Sequence, residues 1–144
     1  MKCFLTDSIT KIHIIRLDKG EYVLESIKDY IKKCNIEEGV IVSAIGTLDY
    51  CILHMVMTTD YPVVQHFEKW EDKPLELSSI DGIIADGQPH LHAVVSNHEK
   101  AYSGHLEEGS RVLYLCEIVI LEFKDMELVR VPNDKGILQL TKKD

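Results

Sequence analysis

The stretch "DKGEYVLESIKDYIKKCN" constrains this chain more than any other, because nothing after it repeats its period. Val23, Ile27, Tyr30, Ile31 and Cys34 fall at helical spacing and make one apolar stripe, with Lys28, Asp29, Lys32 and Lys33 largely off it. Asp18 followed by Glu21 has the form of a capping box, with Asp in the Ser/Thr role. Asn35 suits a left-handed stop. One early helix with no second one downstream rules out alternating βαβ units and leaves a sheet that must pair mostly antiparallel.

The remaining segments read as strands. "KIHIIRL" precedes the helix and is β-branched. "GVIVSAIGTLDYCILHMVMT" holds two apolar runs broken near Gly46 to Asp49, which predicts a strand, a tight bend or bulge, and a second strand. "VVQHFEKW" alternates in parity, and "PLELSSIDGIIA" forms a further strand ending in the turn "DGQP". "HLHAVVS" and "AYSGHL" make a hairpin around "NHEK", "RVLYLCEIVILEF" is one long strand, and "MELVRVPND" is a short closing strand before a turn. The expected fold is α+β: a largely antiparallel β-sheet with one main α-helix near the N-terminus. It forms a single domain over residues 1–144 with its core at about 12–138.

Composition limits the partners. The formal net charge is −8, which disfavours a phosphate backbone as a ligand of the whole surface. Cys3, Cys34, Cys51 and Cys116 form no C-x-x-C pair, and three of them lie in apolar runs, as thiols of a reducing compartment do. No run approaches the roughly 18 apolar residues of a membrane span. The N-terminus has no apolar signal region, so the expectation is a soluble cytoplasmic chain with no membrane partner.

Chemistry concentrates in "GQPHLHAVVSNHEKAYSGHL", which holds four of the seven histidines. Side chains alternate along a strand, so His90 and His92 share a face and Leu91 points into the core. If the hairpin tip is centred between His98 and Glu99, His92 stands directly opposite His105. Their Cβ atoms then lie about 4.5–5.5 Å apart, with His90 on the diagonal. Such imidazoles can converge on a divalent ion, and three neutral histidines with an open fourth position is the arrangement of catalytic zinc. The competing reading is a half-exposed polar face whose histidines are solvated. An odd loop, or a bulge at Ser103-Gly104, sends His105 to the other face. His98 reads as a solvated turn residue, and His13, His54 and His66 as lone, structural strand histidines.

No nucleophile elbow surrounds Ser43, Ser96 or Ser103, and neither a P-loop nor G-x-G-x-x-G is present. Glu76 and Glu117 lie within strand-like runs, on a solvated face or at a site. Glu76 is the favoured catalytic carboxylate because its strand precedes the histidine hairpin.

Taken in order, "RLDKGEYVLESI", "GVIVSAIGTLDYCIL", "LELSSIDGII", "DGQPHLHAVVS", "GHL" and "EIVI" resemble the plants-and-prokaryotes-conserved (PPC) domain family of AT-hook-associated proteins, from about Ile12 to Leu138. The resemblance implies an α+β fold, a homotrimer, and a zinc or other divalent-metal site at His90, His92 and His105. The family pattern has Gly-Gly before the third histidine, where this chain has Ser103-Gly104. The family's DNA-binding label rests largely on members with an AT-hook, and this chain contains no such segment.

Three functions follow as expectations. One is a trimeric metal-site protein with Glu76 as a base. One is a DNA-associated regulator relying on scattered cations such as Lys11, Arg16, Arg111 and Arg130. The third is an oligomeric module for a small anionic ligand.

Overall fold

A computed structural model describes residues 1–143; Asp144, the last residue of the expected domain, lies outside them. The elements run β1 (Ile9–Asp18), α1 (Val23–Cys34), β2 (Gly39–Val56), β3 (Gln65–Ala85), β4 (Gln88–Ser96), β5 (Ala101–Leu106), β6 (Arg111–Phe123), β7 (Leu128–Pro132) and β8 (Leu138–Lys142). Every strand pairing is antiparallel. Among the described residues, the expected α+β chain is mostly antiparallel sheet with a single short helix.

The helix buries Val23, Leu24, Ile27 and Ile31, each contributing about 1.5–3 kcal/mol if fully withdrawn from water. It ends as expected at Asn35, whose left-handed backbone (φ 53°, ψ 49°) returns its N–H to the Ile31 and Lys32 carbonyls. Its start differs from the capping box. Glu21 Oε2 does accept the Asp18 N–H at 2.6 Å, but the N-cap is Tyr22 and carries no side-chain cap. The backbone from Gly20 to Val23 bonds instead to Ser110 and Val112, and this strand-like tether delays the helix.

Two of the expected strand pairs are single long strands. The break at Gly46 to Asp49 does not reverse the chain; β2 runs through it with register shifts between Gly46/Leu48 and Leu48/Tyr50. A Cβ on Gly46 would come within 2.4 Å of the Leu115 carbonyl oxygen, so glycine is required by close strand approach and not by a turn. Likewise "VVQHFEKW" and "PLELSSIDGIIA" are the two halves of β3, bent at Asp72, where φ is 50°.

The main sheet has the order β1-β6-β2-β3-β4-β5, and β5 returns to pair with the far end of β2. Strands β2, β3, β4 and β5 thus form a closed ring of pairings, which removes the free edge beside β5. Ile27, Leu48, Leu53, Ile80, Leu91, Leu106 and Ile118 are among the fully buried core residues. Cys51 and Cys116 belong to this core, where burial first of all pushes their thiols up to about 11 and about 12; Cys3, by contrast, is exposed and Cys34 half-buried. The closing strand β7 pairs with β8, a partner the sequence did not announce, in a separate two-stranded sheet. Among the described residues, no helix is long and apolar enough to cross a membrane.

Candidate metal centre

Two tight connections set the site. Asp86 and Gly87, both at positive φ (51° and 67°), form the two-residue turn that starts β4. At the other end of β4, Asn97 Oδ1 accepts the backbone N–H groups of Glu99 and Lys100. This four-residue loop keeps the parity even, so His92 stands opposite His105, as the tip position requires. No bulge intervenes at Ser103-Gly104 between these strands. Glycine is needed at 104 for another reason: a Cβ there would lie 2.7 Å from the His54 carbonyl oxygen on β2.

On its other side β5 pairs His105 with His54. One rung of the sheet therefore carries His92, His105 and His54 across β4, β5 and β2, and His90 joins from β4. The ring centroids of His90, His92 and His105 lie 5.4, 5.1 and 5.5 Å apart, for the pairs 90–92, 90–105 and 92–105. Three imidazoles on one tetrahedral ion, each nitrogen roughly 2.0–2.1 Å from it, place their centroids about 5.2 Å apart. The triangle fits.

His54 is held differently. Its ring stacks on His105 at 4.6 Å with 24° between planes. Both rings donate from Nδ1 to the same oxygen, Glu107 Oε1, His54 at 2.5 Å and His105 at 3.0 Å. Among the described residues, the donor atoms that lie within 4.8 Å of one another, as a metal ion requires, are those of His54, His105 and Glu107. The two donor sets share His105. In the first the ring centroids are evenly spaced; in the second the donors converge but already satisfy each other by hydrogen bonds, with two of the rings stacked.

Electrostatics favour the neutral ring at His90 and His105. Burial, then the neighbouring His105, Arg130, His92 and His54, lowers the pKa of His90. Burial and then His54 lower that of His105, against the opposing pull of Glu107. Neutral imidazole is the form that ligates.

The rings line a groove of about 1090 Å³, walled in part by Val63, Pro89, Ile137 and Leu138, with Arg130 and Lys135 at its side. The remaining candidates lie elsewhere. Glu76 is exposed opposite Ser96, four residues from His92 along β4, or roughly 13 Å at the rise of a strand. Glu117 is exposed between Arg16 and Ile45. His98 sits at the exposed hairpin tip, and His66 pairs with Glu68 at 2.8 Å on the surface. His13 is buried, 2.9 Å from Glu122. Sequence reasoning missed His54 and Glu107. His54 alternates on its strand like any lone histidine, and only the pairing of β2 with β5 reveals it.

A closed antiparallel sheet with one helix and an imidazole cluster at a strand crossing defines the class. The Plants and Prokaryotes Conserved (PCC) domain matches residues 5–124, and the chain belongs to that family. A Pyrococcus horikoshii plant- and prokaryote-conserved protein shares the fold with a TM-score of 0.80 at 27% identity, over 97% of this chain and 99% of that one. A metal-containing protein from Archaeoglobus fulgidus superposes with a TM-score of 0.81 at 22% identity, over 99% and 100% of the two chains. A Bacteroides thetaiotaomicron protein named for a proposed DNA-binding role gives 0.80 at 18% identity, over 96% of each. Among curated relatives, the bifunctional protein GlmU of Synechococcus sp. (strain JA-3-3Ab) is 23% identical over 133 residues. This chain spans 20% of that relative's length.

Proposed function

We propose that this chain is a metal-holding member of its family, with His90, His92 and His105 as ligands of a divalent cation, zinc first among them. The near-equilateral triangle of imidazole rings carries this reading. Glu107 fixes the Nδ1–H tautomer of His105 and leaves Nε2 for the ion, the usual support of a metal-binding histidine. When bound, the ion supplies Lewis acidity to a water or substrate oxygen in the groove. Glu107 thus orients a ligand from behind the ring, and Glu76, exposed opposite Ser96, lies away from the cluster. The name of the Archaeoglobus fulgidus relative is consistent with such a role. Zinc binding that persists in the folded double variant His90→Ala/His92→Ala would contradict it.

The trimer expected from the family belongs to the same proposal. Ile12 and Ile14 on β1, Val42 and Ile45 on β2, and Tyr114 and Leu115 on β6 are exposed on strands of the sheet; Ile14 and Tyr114 reach 79% and 67%. An apolar sheet surface of this kind calls for a cover, and further copies of the chain supply one. Light scattering on the purified protein should give three times the chain mass of 16.5 kDa. A monomer would refute this part.

DNA binding has less support from the charge distribution. Of the four scattered cations it needs, Lys11 pairs with Glu122, Arg16 with Asp18 and Arg111 with Asp49. Salt-sensitive binding to duplex DNA by the isolated chain would reinstate it.

A further inference from the structure

Of those four cations, Arg130 is the one with no ion pair among the described residues. It rises from β7, and its guanidinium donates to the Ile83 carbonyl at 2.8 Å and the Gln88 carbonyl at 3.0 Å. Ile83 is the ladder partner of His90, so the guanidinium sits against the rung that bears the first imidazole. Of the five N–H groups of a guanidinium, these bonds use two. The others have no protein partner among the described residues, and Arg130 forms no ion pair there. Burial disfavours its charge, which a bound anion would offset.

The groove beside it matches a small organic acid. Its two outer walls are the β2–β3 loop and the β7–β8 turn, which touch where Lys135 Nζ lies 4.4 Å from the centre of the Tyr61 ring. Val63, Ile137 and Leu138 are exposed apolar side chains on that lining. Of the groove's carboxylate neighbours, Glu107 is committed to two imidazoles and Asp86 occupies the β3–β4 turn.

We propose that Arg130 seats the carboxylate of a small organic monoanion whose apolar part lies on the Val63, Ile137 and Leu138 wall, beside the histidine cluster. This deepens the reading of the groove as the working site and does not require the metal. A single fixed guanidinium, planar and able to donate two parallel bonds, suits a carboxylate. A doubly charged phosphate would need a second committed cation, and Lys135 is engaged with Tyr61.

The test is an NMR titration of isotope-labelled protein with isovalerate, using zinc-stripped and zinc-loaded samples, with isovaleramide and inorganic phosphate as controls. Saturable shifts confined to residues near Ile83, Gln88, His90 and Arg130 are expected with isovalerate in both samples and not with the amide. Arg130→Gln should weaken isovalerate about ten- to a hundredfold with zinc stoichiometry unchanged. Should that variant fail to fold, the wild-type comparison of acid with amide decides alone. No saturable shift up to tens of millimolar, equal binding of the amide, or tighter binding of phosphate would overturn the proposal. Binding only to the zinc-loaded protein and insensitive to Arg130→Gln would overturn it too, placing the anion on the ion. Loss of zinc binding with isovalerate retained would sink the metal reading and leave this one standing.

Discussion

His105 donates from Nδ1 to Glu107 Oε1 at 3.0 Å, and the two residues are joined by the buried Leu106. The end of β5 and the residue after it thus set the proposed ligand and its orienting carboxylate on one side, with a core anchor between them. Glu107→Gln keeps the size of the side chain but removes its charge. Zinc affinity should fall about 10–100-fold, as measured against a chromophoric chelator, with the fold unchanged by circular dichroism. Unaltered affinity would remove Glu107 from the site.

The two donor sets that share His105 predict different variants. If His90, His92 and His105 hold the ion, His92→Ala abolishes stoichiometric zinc and His54→Ala only weakens it. If His54, His105 and Glu107 hold it, the order reverses. We expect the first pattern, read by metal content after equilibrium dialysis.

Gly104 lets β5 approach β2. With a Cβ only 2.7 Å from a backbone oxygen, Gly104→Ala forces the strands apart. The cost should be about 1–3 kcal/mol in denaturant unfolding. Zinc affinity should fall with it, because the His54–His105 rung is the place that opens. A neutral substitution would show that this contact does not set the ring spacing.

How much of this was legible beforehand follows from how local each signal is. The His92–His105 rung needed only strand parity and a four-residue tip, both readable in "HLHAVVSNHEKAYSGHL". His54 needed the pairing of β2 with β5, a contact between segments about a third of the chain apart. Glu107, one residue past β5, looked like the start of a loop. Gly46 signalled a bend or bulge, and the pairing does shift register there, but the chain runs on as one strand because the glycine also admits a close neighbouring strand. The short, partly polar β8 had no pattern strong enough to separate it from a tail.

Away from the groove, Glu122 is almost fully buried, its side chain 4% exposed, between His13 at 2.9 Å and Lys11 at 3.2 Å. Burial alone would raise its pKa, but the hydrogen bonds from His13 and Lys11 outweigh that and hold it below its ordinary 4.5. A depressed carboxyl gives stability that is complete above the ordinary value and is lost as pH falls through the folded one. Thermal stability should therefore decline on acidification below about pH 4.5, more steeply in wild type than in Glu122→Ala. The variant itself should lose about 1–3 kcal/mol near neutral pH by leaving the buried His13 ring without its carboxylate partner. Parallel acid profiles for the two proteins would contradict this.

The most direct test of the central claim is metal analysis of untagged protein, purified without chelator and again after zinc dialysis. The triangle of His90, His92 and His105 predicts one zinc per chain, lost in His92→Ala. Folded wild-type protein that stays metal-free through zinc dialysis would contradict it and return the three imidazoles to a polar sheet face.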